Sequence, residues 1–172
     1  TWLRKDLPSP ANLQTIAPPV KTLVYDTNGK LIHEFFKENR SIVPLKDIPE
    51  PLIQAILAIE DRRFYTHWGI DPIRLVRALI TDIMARRPEQ GGSTITQQLA
   101  RNLFLTHEKT FTRKLKEMAL AIRIEQTYTK DEILEMYFNQ IYFGEGAYGV
   151  DAAAKVFFGK RVQEISMPEC AL

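Results

Sequence analysis

At 172 residues the chain is long enough for one domain with a real core. Hydrophobic residues make up 45% and charged residues 26%, which excludes a disordered chain, and the net charge of +2 is too small to imply nucleic acid by itself. Cys170 stands alone, which excludes a disulfide framework, and no apolar run reaches the ~18 residues needed to span a bilayer.

Residues 1–20 hold Pro8, Pro10, Pro18 and Pro19 with little periodicity and read as an extended lead-in. The chain begins Thr1-Trp2 and not with Met, so an upstream signal or anchor is expected. Thr22 to Asp26 and Leu31 to Phe36 then flank Thr27-Asn28-Gly29-Lys30. Asn-Gly between two β-prone runs predicts a hairpin, because both turn positions tolerate positive φ. Such a hairpin needs the following helices to pack on.

After Pro51 the pattern is helical. The greasy run Ile53 to Ile59 predicts a helix from Leu52 to about Phe64, passing into Glu60-Asp61-Arg62-Arg63-Phe64-Tyr65-Thr66-His67-Trp68-Gly69. At helical spacing Glu60 falls below Ile53, Ile56 and Leu57, where another aliphatic is expected. Burial would raise its pKa, which is how a Glu becomes a general acid or base. The plainer alternative is a helix-end Glu turned outward and paired with Arg62 or Arg63, and this stretch alone favours it. Asp71-Pro72, an N-cap with Pro at N1, opens a helix to about Arg87 that Pro88 stops. Ile73, Val76, Ile80, Ile83 and Met84 line up on it, flanked by arginines, as suits an anionic membrane surface or an ordinary core helix.

Gln90-Gly91-Gly92 breaks the chain, and Thr94-Ile95-Thr96-Gln97 reads as a capping box. Thr94, Gln98 and Arg101 share one stripe of the helix that follows. Its N-terminus offers N–H donors to an anion, or else they face water. The helix from Thr110 to Tyr128 carries Arg113, Lys114 and Glu117 on one face and Phe111, Leu115, Met118 and Ile122 on the apolar side. The charged trio alone amounts to helix pairs of ~0.2–0.5 kcal/mol each. Thr129-Lys130-Asp131-Glu132 is a second capping box, opening a helix over Ile133 to Phe143 that Gly144 stops, with Glu135 and Asn139 as a polar i, i+4 pair. Gly144 to Gly149 matches Gly-x-Gly-x-x-Gly, but it follows a helix rather than a parallel strand and is rejected as a dinucleotide fingerprint. It reads instead as a turn feeding a helix over Val150 to Phe158, closed by Gly159. There is no Ser-x-x-Lys, and His33, His67 and His107 are too scattered for a metal cluster.

Taken in order, Glu60-Asp61-x-x-Phe64-x-x-His67-x-Gly69, Gly92-Ser93-Thr94-Ile95-Thr96-Gln97-Gln98, Arg113-Lys114-x-x-Glu117 and Lys130-x-x-Ile133-Leu134-Glu135-x-Tyr137-x-Asn139 form a pattern. It resembles the peptidoglycan glycosyltransferase domain of class A penicillin-binding proteins and their monofunctional relatives, glycosyltransferase family 51. The likeness runs from about Val20 to the end.

The resemblance implies a mainly α, lysozyme-like fold with a large lobe and a small membrane-associated lobe, plus the N-terminal β-hairpin. It implies polymerisation of lipid II into β-1,4 glycan strands with inversion. Glu60 matches the base on the acceptor 4-hydroxyl, and Glu117 a second acid near the leaving undecaprenyl pyrophosphate, where a divalent cation (Mg or Mn) is an added expectation; no organic cofactor is implied. Asp61, Phe64 and His67 match supports of the base. Ser93, Thr94, Gln97, Gln98, Arg101, Asn102, Arg113, Lys114, Glu135 and Asn139 match substrate-binding positions. The chemistry agrees, because an inverting displacement needs a base on one face and charge neutralisation on the other.

The expected partners are lipid II, the growing glycan strand and a membrane met through Asp71–Arg87, with no nucleic acid. The expected setting is the external face of a bacterial membrane, anchored upstream. The lead-in would span 1–20 and the glycosyltransferase domain 21–172. The rest of that domain, with its Arg-rich fifth motif, and a transpeptidase domain are expected beyond residue 172. Arg101 departs from the Lys of many relatives, which exchanges a point charge for a bidentate fork. A lysozyme-like lytic transglycosylase or muramidase is one rival reading, and a non-enzymatic helical module binding membrane or nucleic acid is another. The first has no need of the cationic stripes, and the second would keep its affinity without Glu60.

Overall fold

The computed structural model describes residues 22–25, 27, 31–35, 42–76, 92–105 and 110–172. Over these the chain is mainly helical. Strands β1 (Thr22–Tyr25) and β2 (Leu31–Phe35) precede helices α1 (Glu50–Glu60), α2 (Ile95–Phe104), α3 (Phe111–Thr127), α4 (Lys130–Gln140) and α5 (Val150–Phe158). A helix also begins at 72–76. The hairpin forms as an antiparallel pair, with Thr22 opposite Phe35 and Val24 opposite His33, and its register shifts between Val24 and Tyr25. The lead-in, the Asn28-Gly29 turn and positions 77–91 of the expected membrane helix lie outside the described residues.

Pro51 sits in the first turn of α1, where a missing N–H costs nothing. The helix ends at Glu60, short of the expected Phe64. Asp61 leaves helical geometry at φ −160°, and Phe64–Thr66 winds into a separate 3-10 turn. The reason is the Asp61 side chain, which is drawn away to partners on α2 and at His67.

α2 crosses both α3 and α4 and forms the middle of the core. Ile95 and Leu99 from α2, Leu120 and Ile124 from α3, and Leu134 and Phe138 from α4 are fully buried in one cluster. Truncating any of the aliphatics to Ala should cost about 2–5 kcal/mol.

The expected faces of α3 are reversed. Phe111 is 79% exposed and Leu115 is exposed too, while Glu117 shares the buried stripe with Leu120, Ala121 and Ile124. A carboxylate can hold that position because it is ion-paired at both oxygens. α4 ends at Gln140, three residues short of Phe143, because Ile141 turns extended and Tyr142 bridges to Tyr148. α5 has the expected bounds, and Gly159 closes it in the left-handed region.

Two glycines are required by space. Gly69 has φ +95°, and a Cβ there would lie 2.9 Å from the Ala121 carbonyl oxygen. Gly149 has φ +84°, and its Cβ would lie 3.0 Å from the Asn139 carbonyl. The first lets the loop after Glu60 lie flat on α3, and the second seats α5 against the end of α4.

Candidate active site

Glu60 is the last residue of α1, half-buried, on the wall of a cavity of about 620 Å³ whose lining includes Ile56, Ile59, Tyr137 and Phe157. Its Oε2 accepts from Gln98 Nε2 at 2.7 Å. Neither Arg62 nor Arg63 pairs with it among the described residues. Arg63 is instead forked onto Asp71, with Nε 2.9 Å from Oδ2 and Nη2 on Oδ1. The outward ion pair favoured by the local stretch is thereby replaced by a carboxylate with a neutral donor.

Asp61 has the opposite surroundings. It is 1% exposed, and its Oδ2 accepts from His67 Nε2 at 2.9 Å and from the Ile95 amide at 3.0 Å. His67 Nδ1 accepts the Gly69 amide at 3.1 Å, so the ring carries its proton on Nε2 and donates it to Asp61. Ile95 is the first residue of α2, so the Asp61 carboxylate is itself the anion at that helix N-terminus. Thr94 Oγ1 accepts from the Gln97 amide and donates to the Gly69 carbonyl at 2.7 Å, while Gln97 Oε1 accepts from the Thr94 amide. The amides of Thr94, Ile95 and Gln97 are thus taken up internally. Thr94 and Gln97 cap the helix, and the expectation that its N-terminus offers these donors to a substrate anion is corrected.

Phe64 is buried beneath this network, edge-on to His67, with Lys130 Nζ 4.5 Å from its ring centroid. Lys130 also pairs with Glu125 at 2.7 Å, and Glu125 accepts from Thr96 at 2.6 Å. Asp71 caps the next helix as the sequence predicts, accepting from the Ile73 and Arg74 amides, each at 3.0 Å. Burial pushes its carboxyl up, but the Arg63 guanidinium and these amides outweigh it and hold it below the usual range.

A second cluster gathers around Glu117, which is completely buried. Arg113 Nη1 lies 3.0 Å from one carboxylate oxygen and Lys114 Nζ 2.5 Å from the other. Lys114 also donates to Ser93 Oγ at 2.6 Å, which brings α3 against the turn before α2. Arg113 Nε is buried without a partner among the described residues, so one N–H of its fork is spare. A divalent cation does not fit this donor set. Both oxygens of Glu117 already face cations, and no group of three or more His, Cys, Asp or Glu side chains gathers among the described residues.

Other expected positions lie elsewhere. Asn139 Oδ1 accepts the Val43 amide at 2.8 Å and its Nδ2 donates to the Val43 and Glu135 carbonyls, while Glu135 Oε2 accepts the Leu45 amide at 2.7 Å. This pair clamps the backbone at 43–45 onto α4. Arg101 lies half-buried one turn after Gln98, and its charge acts on Tyr137; Asn102 is exposed. Sequence reasoning passed over three residues. Arg74 was read as a membrane flank, yet its Nη1 donates to the Glu60 carbonyl and lies 4.0 Å from Asp61 Oδ1. Glu125 went unmentioned. Tyr137 stands in the fourth motif with no role of its own assigned, although a tyrosine on a buried stripe has to place its hydroxyl, and that was the available signal.

The arrangement offers a base candidate on an open wall, a rigid polar floor, and a cationic cluster on α3. The sequence model of the family described as Transglycosylase matches residues 28–172. The chain is 54% identical over 168 residues to penicillin-binding protein 1A of Aquifex aeolicus, covering 98% of this chain and 23% of that protein. It is 46% identical over 171 residues to penicillin-binding protein 1A of Escherichia coli, covering 99% and 20%. It is 48% identical over 149 residues to penicillin-binding protein 1F of Bacillus subtilis, covering 87% and 21%. The chain thus spans about a fifth of the length of these curated relatives. With the family model matched over most of its length, the chain belongs to the transglycosylase family, as the peptidoglycan glycosyltransferase domain of class A penicillin-binding proteins.

Proposed function

We propose that this domain polymerises lipid II into β-1,4 glycan by inverting transfer. Glu60 removes the proton of the acceptor 4-hydroxyl as that oxygen attacks the donor anomeric carbon. Undecaprenyl pyrophosphate leaves from the opposite face with the bonding electron pair. Arg113 and Lys114, oriented by Glu117, neutralise the leaving group, and the spare Arg113 Nε is one donor for it. Arg101 adds a further cation. Positive charge comes from side chains, so the leaving group needs no proton donor, and no step is assigned to a metal.

One contrast carries this reading. Glu60 takes a neutral amide donor and lines a cavity, while the carboxylates of Asp61, Asp71 and Glu117 are engaged by histidine, arginine or lysine. A lipid-linked substrate also requires a bilayer nearby. Among the described residues Trp68, Ile73 and Val76 are all at least half exposed around the start of the Asp71–Arg87 region, which suits membrane contact on the external face. No described helix is long and apolar enough to cross a membrane.

The test is a lipid II polymerisation assay on wild type and Glu60→Gln in the full-length protein. Polymer from the wild type and near-total loss in the variant are expected. Fragments released from finished glycan, with no polymer from lipid II, would overturn the proposal in favour of a lytic enzyme.

A further inference from the structure

Gln98 makes two side-chain hydrogen bonds of opposite sense. Its Nε2 donates to Glu60 Oε2 at 2.7 Å, and its Oε1 accepts from Tyr137 Oη at 3.4 Å, long for an O–H···O contact. A carboxylate can only accept, so the first bond requires the amide nitrogen to face Glu60. The phenol, 1% exposed and among apolar neighbours of the core, has this amide oxygen as its acceptor. The two contacts agree on one orientation of the amide.

We propose that Tyr137 is a positioning residue for the glycosyl transfer, holding Gln98 so that its N–H, and not its C=O, faces the Glu60 carboxylate. The inference rests on Glu60 being the base. Burial, and then the nearby Glu60 charge, push the Tyr137 phenol above its usual pKa, so it remains a donor throughout the working range. A fixed N–H stabilises the ionised Glu60. An amide free to turn would at times present its oxygen, which favours the protonated acid and raises the pH at which the base becomes available.

Other titratable or charged groups face this pair from each packed element. Asp61 follows Glu60, Arg74 reaches its carbonyl, Arg101 comes from α2, and Glu169 and Cys170 line the same cavity. Removing the phenol hydroxyl changes the amide restraint and leaves these groups in place.

The experiment compares Tyr137→Phe with wild type in the full-length protein, measuring kcat and KM for lipid II across pH and thermal melting. Tyr137→Phe keeps the ring. It should move the acid limb up by about one pH unit, lowering kcat up to about tenfold on the acid side of the profile while leaving kcat at neutral pH and KM within about twofold. In a Gln98→Leu background it should add nothing further, since its route is gone. An unmoved acid limb, or full additivity with Gln98→Leu, overturns the proposal. Should Tyr137→Phe fail to fold, Gln98→Leu alone must move the limb, and an unmoved one overturns it. Glu60→Gln separates the two readings. If it is inactive while Tyr137→Phe is unaltered, the relay alone falls. If it keeps activity with the acid limb intact, both fall.

Discussion

Glu60 and Asp61 are consecutive acids that the fold treats in opposite ways. Asp61 is sealed, with a histidine and a helix N-terminus on one oxygen, while Glu60 sits on a cavity wall with a single amide donor. A helix that stopped one turn later would put both on one continuous surface. The break at Asp61 separates them, so one acid is buried in the floor and its neighbour stays half-buried on the cavity wall beside Gln98. Asp61 is held through Oδ2 alone, its Oδ1 being buried without a hydrogen-bond partner among the described residues, so the two acids differ in burial and in the donors on their one engaged oxygen.

The sharpest way to break this contrast is to neutralise each acid in turn. Glu60→Gln should reduce polymerisation by roughly 10²–10⁴-fold while leaving stability within about 0.5 kcal/mol, checked by lipid II turnover and denaturant melts. Asp61→Ala should do the reverse at the first step. It strips the acceptor from two buried donors, His67 Nε2 and the Ile95 amide, and should cost about 3 kcal/mol in urea unfolding, with activity lost because the fold is lost. Equal effects on both measurements would erase the distinction.

Gly69→Ala tests the floor from below. Its positive φ and the approach of the Ala121 carbonyl predict a loss of about 2 kcal/mol, read by chemical denaturation. The smallest effect belongs to an acid on the wall of the same cavity as Glu60. Glu169 is held down at about 2 by Lys160, with further hydrogen bonds from Ser166. Its folded pKa lies below the ordinary 4.5, so its stabilisation is present above that value and fades as pH falls towards 2. Glu169→Gln should therefore melt about 1–2 °C below wild type at pH 6 and match it near pH 2.

The sequence declared helix starts better than helix stops or helix faces. Thr94 and Thr129 cap as their capping boxes predict, because the signal is local and nothing distant competes. α3 was misread because two stripes compete on it. One holds Phe111 and Leu115, the other Glu117, Leu120, Ala121 and Ile124, and only the ion pairing of Glu117 decides between them. Glu60 stood out as an acid on an apolar stripe, and its motif gave it a role. Its partners at Gln98 and Tyr137 come from elements 38 and 77 positions away, and no local pattern announces such contacts. Glu135 and Asn139 were legible as a polar pair on one helix face, but their contacts with the backbone at 43–45, about 90 positions away, were not.

The bond from the Ile95 amide to Asp61 also sets a tolerance. Glu60 immediately precedes one end of that bond, and Gln98 lies one helical turn beyond the other. Both members of the Glu60–Gln98 contact therefore hang from a single peg. Whatever moves the start of α2 therefore moves Asp61 with it, and the Glu60–Gln98 contact tolerates a shift of the pair as long as this bond holds.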